Sequence, residues 1–177
     1  MSGHNKWSKI KHQKGASDAA KSKIFSKLVR FITVESKKAK GILTSPGLRA
    51  AIEKARVANM PNDTIDRAVK KGATDNSASM ETITYEAYGP GGVALIIDAL
   101  TDNRNKAAQE VKFILSKHGS ALAGIGAASW AFEKNLEEGW IPKTMTPIGE
   151  EDGKKLEALI AELEENDEVQ DVYTNAE

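Results

Sequence analysis

Apolar residues along the chain change their spacing at about residue 80. Between Ser17 and Gly41, a step of about 100° per residue gathers Ile24, Phe25, Leu28, Val29, Phe31 and Ile32 on one side. That pattern predicts an amphipathic helix, with Ser17 and Asp18 as its start signal and Gly41 as its stop. Ser45-Pro46 opens a second helix, proline being tolerated where a helix has no N–H to satisfy. Its stripe is Leu48, Ala51, Ile52 and Ala55. Pro61 opens a third, shorter helix, with Ile65, Ala68 and Val69 inward and Gly72 at the end. Three helices with short connections predict a compact antiparallel bundle.

Residues 73–82 are small and polar and read as a linker. Beyond it, Ile83 to Tyr88 alternates as a strand does, Gly89-Pro90-Gly91-Gly92 is turn chemistry, and Val93 to Leu100 is an apolar run of strand length. Asp102 and Asn103 cap a helix carrying Ala107, Ala108, Val111, Ile114 and Leu115, which stops at Gly119. Ala128 to Phe132 reads as a third strand. Trp140-Ile141 reads as another, followed by a helix over 150–166 and a last strand at Val169–Tyr173. The expected class is α+β: an N-terminal three-helix bundle followed by an α/β sandwich with a mainly antiparallel sheet and helices on one face. The expected domains are 1–78 and 79–177.

Charge changes the picture more than composition does. The formal net charge is zero, but the zero is an average of unlike parts. Residues 1–72 hold 17 Lys and Arg against 5 Asp and Glu, a net of +12; residues 73–133 carry −3 and residues 134–177 carry −9. Clustered Lys and Arg are the electrostatic footprint of phosphate contact. In the first 15 residues, Lys6, Lys9, Lys11 and Lys14 alternate with Trp7 and His12 in a stretch without apolar periodicity. It reads as an extended arm whose lysines and His12 meet phosphates and whose Trp7 stacks on a base or packs on the protein; the plainer reading is a frayed terminus. On the first helix, Lys23, Lys27, Arg30, Lys37 and Lys38 fall opposite the apolar side, with only Asp18 and Glu35 to offset them. A solvated face ordinarily mixes signs for i,i+4 pairing, so a polyanionic partner is the sharper reading. The acidic residues of the 150–166 helix read as a solvated face, or as a surface that repels nucleic acid or binds the basic segment in its absence.

Little else suggests chemistry. The chain has no cysteine, which removes disulfides, thiolate metal sites and a Cys nucleophile and fits a reducing compartment. His4, His12 and His118 do not stand at metal-ligand spacing, and His118 closes a helix, where a cation is welcome. The Gly89–Gly92 loop lacks the Lys-Ser/Thr of a phosphate-binding loop and reads as a turn. Asp102 reads as a cap and Asp98 as part of an alternating strand. Neither a long apolar run nor a secretory leader is evident. The expectations are no enzyme, no metal, no cofactor and no membrane partner, in the cytoplasm, with the oligomeric state open.

Several ordered strings resemble one family. They are Gly3-His4-Asn5-Lys6-Trp7-Ser8-Lys9-Ile10-Lys11-His12, Lys23-Ile24-Phe25-Ser26-Lys27-Leu28, the stretch from Leu48-Arg49 through Arg56 to Asn59-Met60-Pro61, and Tyr85 through Gly92. Thr101-Asp102-Asn103-Arg104-Asn105, Trp130 with Phe132, and Val172-Tyr173 with Asn175 complete the set. Together they resemble the YebC/PmpR family over nearly the whole chain. The resemblance implies a helical N-terminal domain followed by α+β domains, and no catalytic activity or cofactor. It implies either transcriptional regulators that bind DNA or translational activators that act on ribosomes. The chain departs from the family in one place. Only Asn135 to Glu138 separate Phe132-Glu133-Lys134 from Gly139-Trp140-Ile141-Pro142, where members of the family carry a further acidic domain, so an internal deletion is expected near 134–139. Three functions stay open: a DNA-binding regulator, a ribosomal-RNA-associated translation factor, and a protein–protein adaptor with incidental nucleic-acid affinity.

Overall fold

The computed structural model describes residues 18–75 and 79–177. They fall into two units, one ending at Ser79 and the other running from Met80 to Glu177.

The first unit is helical: α1 (Asp18–Ala39), α2 (Pro46–Val57) and α3 (Asn62–Thr74). α1 packs against both α2 and α3, which touch one another little, so α1 is the axis of the bundle. Leu28 and Ile32 of α1 meet Leu48, Ala51, Ile52 and Ala55 of α2, Met60 from the turn, and Ile65 and Ala68 of α3. Burying each large aliphatic side chain is worth about 1.5–3 kcal/mol, so a core this small leans on close helix approach. Phe25, Val29 and Phe31 pack at its margin. Ile24, expected inside, is 40% exposed, because it lies at the edge of a stripe only two helices wide. Pro46 starts α2 as expected, while Pro61 sits one residue before α3, at its N-cap.

The second unit is the expected α+β fold. Strands β1 (Glu81–Tyr88), β2 (Ala94–Thr101), β3 (Ala121–Ala123) and β6 (Val169–Thr174) form an antiparallel sheet in the order β3-β1-β2-β6. Helices α4 (Arg104–Lys117) and α5 (Glu150–Glu165) cover one face, closing over Ala87, Val93, Leu95 and Ile97. Strands β4 (Phe132–Asn135) and β5 (Gly139–Pro142) make a separate hairpin. That hairpin and a 3-10 turn at Ser129–Ala131 cover the other face, over Ala94 and Ile96. Covered on both sides, β2 is buried at every position but Asp98.

Four readings are corrected here. The strand expected over Ala128–Phe132 is the 3-10 turn followed by β4. The strand that completes the sheet is the three-residue β3, too short and too alanine-rich to carry a period. The cap of α4 is Asn103, whose side chain accepts from the Lys106 N–H at 3.1 Å; Asp102 is not the cap. Finally, β2 does not alternate, because both of its faces are covered.

Candidate nucleic-acid interface

The stripe expected on α1 is carried on one continuous helix. Lys23, Lys27, Arg30, Lys37 and Lys38 recur at steps of four, three, seven and one, close to multiples of the helical turn. At 1.5 Å per residue they run along about 22 Å of helix. Lys37 and Lys38 stand in the last turn, where the helix dipole favours cations. The stripe is not the unmixed one expected. Lys38 pairs with Glu35 at 2.8 Å, and Lys23, Lys27, Arg30 and Lys37 each have an interaction of their own. Lys38 is therefore partly compensated before any ligand arrives. The arm residues Lys6, Trp7, Lys9, Lys11, His12 and Lys14 lie outside the described residues.

Tertiary packing adds cations that the site expected from sequence left out. The Ser36 hydroxyl, fully buried, donates to the Val69 carbonyl at 2.6 Å. Gly72 lets α3 come down on α1, since a Cβ there would stand 2.2 Å from the Thr33 carbonyl oxygen. Gly41, just past α1, lies against Ala73 in the same way, with 2.9 Å to a notional Cβ. The ends of α1 and α3 thus meet, and Lys40, Lys70 and Lys71 join Lys37 and Lys38 at that end of the bundle. Lys40, Lys70 and Lys71 are exposed. Lys54 of α2 lies over the Phe31 ring, 5.9 Å from its centroid. Gly41 and Gly72 are the sequence signal for this convergence, but as helix stops they read only locally.

The polar groups of the second unit build structure. Glu86 is 7% exposed. Its carboxylate accepts from the backbone N–H groups of Gly126 at 2.6 Å, Ala128 at 2.9 Å and Ser129 at 2.5 Å. Burial alone would raise its pKa; those backbone bonds, with the Ser129 hydroxyl, outweigh burial and hold the carboxyl below its ordinary range. Asp98 accepts from the Thr84 hydroxyl at 2.6 Å and from the Trp140 indole N–H at 3.2 Å. Burial, with Asp171 beside it, pushes Asp98 upward against those bonds and the Lys134 charge. Tyr173 is held protonated above its usual range by burial and by Asp171 and Asp98. Lys134 lies 5.1 Å over the Trp140 ring, and Gly139 leaves room for the Tyr173 hydroxyl. This cluster fastens the hairpin to the sheet. His118 contacts Glu162 at 2.6 Å, and Lys117 reaches the same carboxylate at 2.9 Å. On the acidic α5, Glu150 pairs with Lys154 and Glu151 with Lys155, as a solvated face does.

Among the described residues, no group of three or more His, Asp or Glu is placed to hold a metal ion, and no helix is long and apolar enough to cross a membrane.

The chain is similar to known proteins. The TACO1/YebC protein N-terminal domain model matches residues 5–75. The TACO1/YebC second and third domain model matches residues 80–136 and 134–176. A protein of Thermosipho africanus named "Probable transcriptional regulatory protein" is 39% identical over 237 aligned positions, covering 100% of this chain and 94% of the relative. One of the same name from Fervidobacterium nodosum is 50% identical over 174 residues, covering 96% of this chain and 68% of the relative. A conserved hypothetical protein from Aquifex aeolicus, known as a crystal structure, superposes with a TM-score of 0.77 at 32% identity, covering 90% of this chain and 91% of that one. The 237 positions set against 177 residues leave about 60 positions of the Thermosipho protein without a counterpart here. The two stretches of the second family match meet at residues 134–136, in the β4–β5 hairpin.

Proposed function

Because the chain belongs to the TACO1/YebC family, we propose that it regulates gene expression in the cytoplasm by binding nucleic acid, without catalysis. The helical unit is the contact surface. Lys23, Lys27, Arg30, Lys37 and Lys38 of α1 meet phosphates, and the N-terminal Lys6, Lys9, Lys11, His12 and Lys14 extend the contact, with Trp7 stacking or anchoring. The observation that carries this reading is the cationic stripe on α1 within a segment of net charge +12. The relatives' names, "Probable transcriptional regulatory protein", support transcription as the process regulated.

A second reading rests on the kind of side chain present. The stripe is four lysines and one arginine, with no Asn or Gln to read adenine, and a row of mostly lysine is first a row of phosphate contacts. Contacts of that sort position a protein on a backbone and do not specify sequence. They suit structured ribosomal RNA as well as a promoter, and with it a translational activator working at the ribosome.

Binding of the purified chain to matched duplex DNA and to structured ribosomal RNA, each across a salt series, tests the proposal. The expected result is affinity that falls linearly in log–log form with salt, by about 0.9 per neutralised phosphate on duplex DNA. Preference for one DNA sequence supports the transcriptional reading, and clear preference for the RNA supports the translational one. No binding to either at physiological salt contradicts the proposal and leaves the adaptor reading.

A further inference from the structure

The turn between α1 and α2 exposes two large aliphatic side chains, Ile42 at 59% and Leu43 at 57%. The turn is tightly built. Gly41 donates its N–H to the Ser36 carbonyl at 2.9 Å, Ile42 to Ala39 at 3.0 Å, and Ser45 to Ile42 at 3.1 Å. Lys40 and Gly41 both take positive φ, at 52° and 76°, which turns the chain sharply out of the helix. Gly41 rests on Ala73, so the turn is anchored to the end of α3, which carries Lys70 and Lys71. The result is an exposed apolar tip that follows Lys40 and is anchored to the helix carrying the exposed Lys70 and Lys71.

We infer that Ile42 and Leu43 form a wedge that enters a nucleic acid where base stacking is already interrupted, at a bulge or an unpaired step, while Lys40, Lys70 and Lys71 hold the flanking phosphates. Proteins that kink nucleic acids insert aliphatic side chains between bases, with cations alongside to hold the backbone. Entry costs least where the stack is already broken. Charge complementarity selects a polyanion: residues 18–75 hold 13 Lys and Arg against 6 Asp and Glu. A lipid surface carries the same sign, but two aliphatic side chains bury far less apolar surface than a stable membrane anchor needs. The inference rests on the nucleic-acid reading above and narrows it to a kind of target.

The test uses the full chain, its I42S/L43S variant, and duplexes of about two helical turns, prepared in DNA and in RNA. Each duplex is either fully paired or carries a two-nucleotide bulge beside a fluorescent 2-aminopurine. Both substituted positions are exposed, and a thermal melt confirms that the variant folds. The expected result is at least tenfold tighter binding of the bulged duplex, with a rise in fluorescence. In I42S/L43S both effects are lost, while affinity and salt slope on the paired duplex are unchanged. The DNA and RNA arms show which backbone is preferred. Equal affinity for bulged and paired duplexes, or a preference that survives in the variant, overturns the inference and leaves the proposed function standing. Failure to bind any duplex overturns the inference, and overturns the proposed function as well when structured ribosomal RNA is not bound either. Binding to phosphatidylglycerol vesicles that is lost in I42S/L43S, without bulge preference, overturns the inference in favour of a lipid surface.

Discussion

Glu86 ties a loop of about six residues to the central sheet through a single carboxylate. Its bonds to the N–H groups of Gly126, Ala128 and Ser129 fix the turn from which Trp130 and the hairpin follow. The Tyr88 hydroxyl donates to the Ala127 carbonyl, which also receives the Trp130 indole N–H at 2.9 Å. Charge-assisted bonds of this kind are worth about 1.5–3 kcal/mol, so Glu86→Gln is expected to cost about 2 kcal/mol in urea unfolding near neutral pH. The acid dependence has a definite sign. The folded carboxyl titrates below its unfolded value of 4.5. Its contribution is therefore complete above pH 4.5 and is lost as pH falls through the folded value. The stability gap between wild type and E86Q should narrow in that window; a gap that stays constant into acid would show that ionisation of Glu86 is not what holds the loop. None of this is legible in the sequence, where Glu86 is one acidic residue in an alternating strand and its partners lie some forty residues on.

Among the elements, local period was readable and contact between distant segments was not. α1, α2 and α5 show themselves because their apolar positions recur at the helical turn. β3 does not, because three residues paired to β1 carry no period of their own. The stripe on α1 was equally legible, being both charged and periodic. Its joining by Lys40, Lys70 and Lys71 was not, since that depends on Gly72 letting one helix onto another. Gly72→Ala gains helix propensity of about 1 kcal/mol but drives a methyl group into the Thr33 carbonyl, where backbone cannot give way cheaply. A net loss of about 1–3 kcal/mol is expected, read as a lower thermal midpoint; an unchanged or raised midpoint would mean that α1 and α3 are not in contact there. The hairpin has a comparable dependence. Gly139 has φ 82°, and a Cβ there would stand 2.2 Å from the Tyr173 hydroxyl. Gly139→Ala should loosen β4–β5 from the sheet and speed proteolysis within residues 132–142, whereas proteolysis at the wild-type rate would place the fastening elsewhere.

At the scale of the whole molecule, two features stand out. The first is the short middle. Where the family match changes stretch, this chain has a hairpin in which Asn135 and Gly139 are direct partners. A segment inserted there leaves and returns at neighbouring points, so about 60 further positions in a relative can be accommodated without disturbing the sheet. The second is the division of charge, invisible in a net of zero and plain once counted by segment. It makes the helical unit the natural face for a polyanion. The measurement that tests this most directly is the salt dependence of nucleic-acid binding by the full chain and by a variant with Lys23, Lys27, Arg30, Lys37 and Lys38 all changed to Glu. A matched Gln set with intact thermal unfolding serves as the control for fold. If α1 is the contact surface, the Glu variant loses at least tenfold in affinity at physiological salt. Its log–log slope on duplex DNA becomes shallower by about 4, for up to five phosphate contacts, and the Gln set follows in the same direction. If both variants bind with the slope and affinity of the wild type, α1 does not hold the backbone and the central claim is wrong.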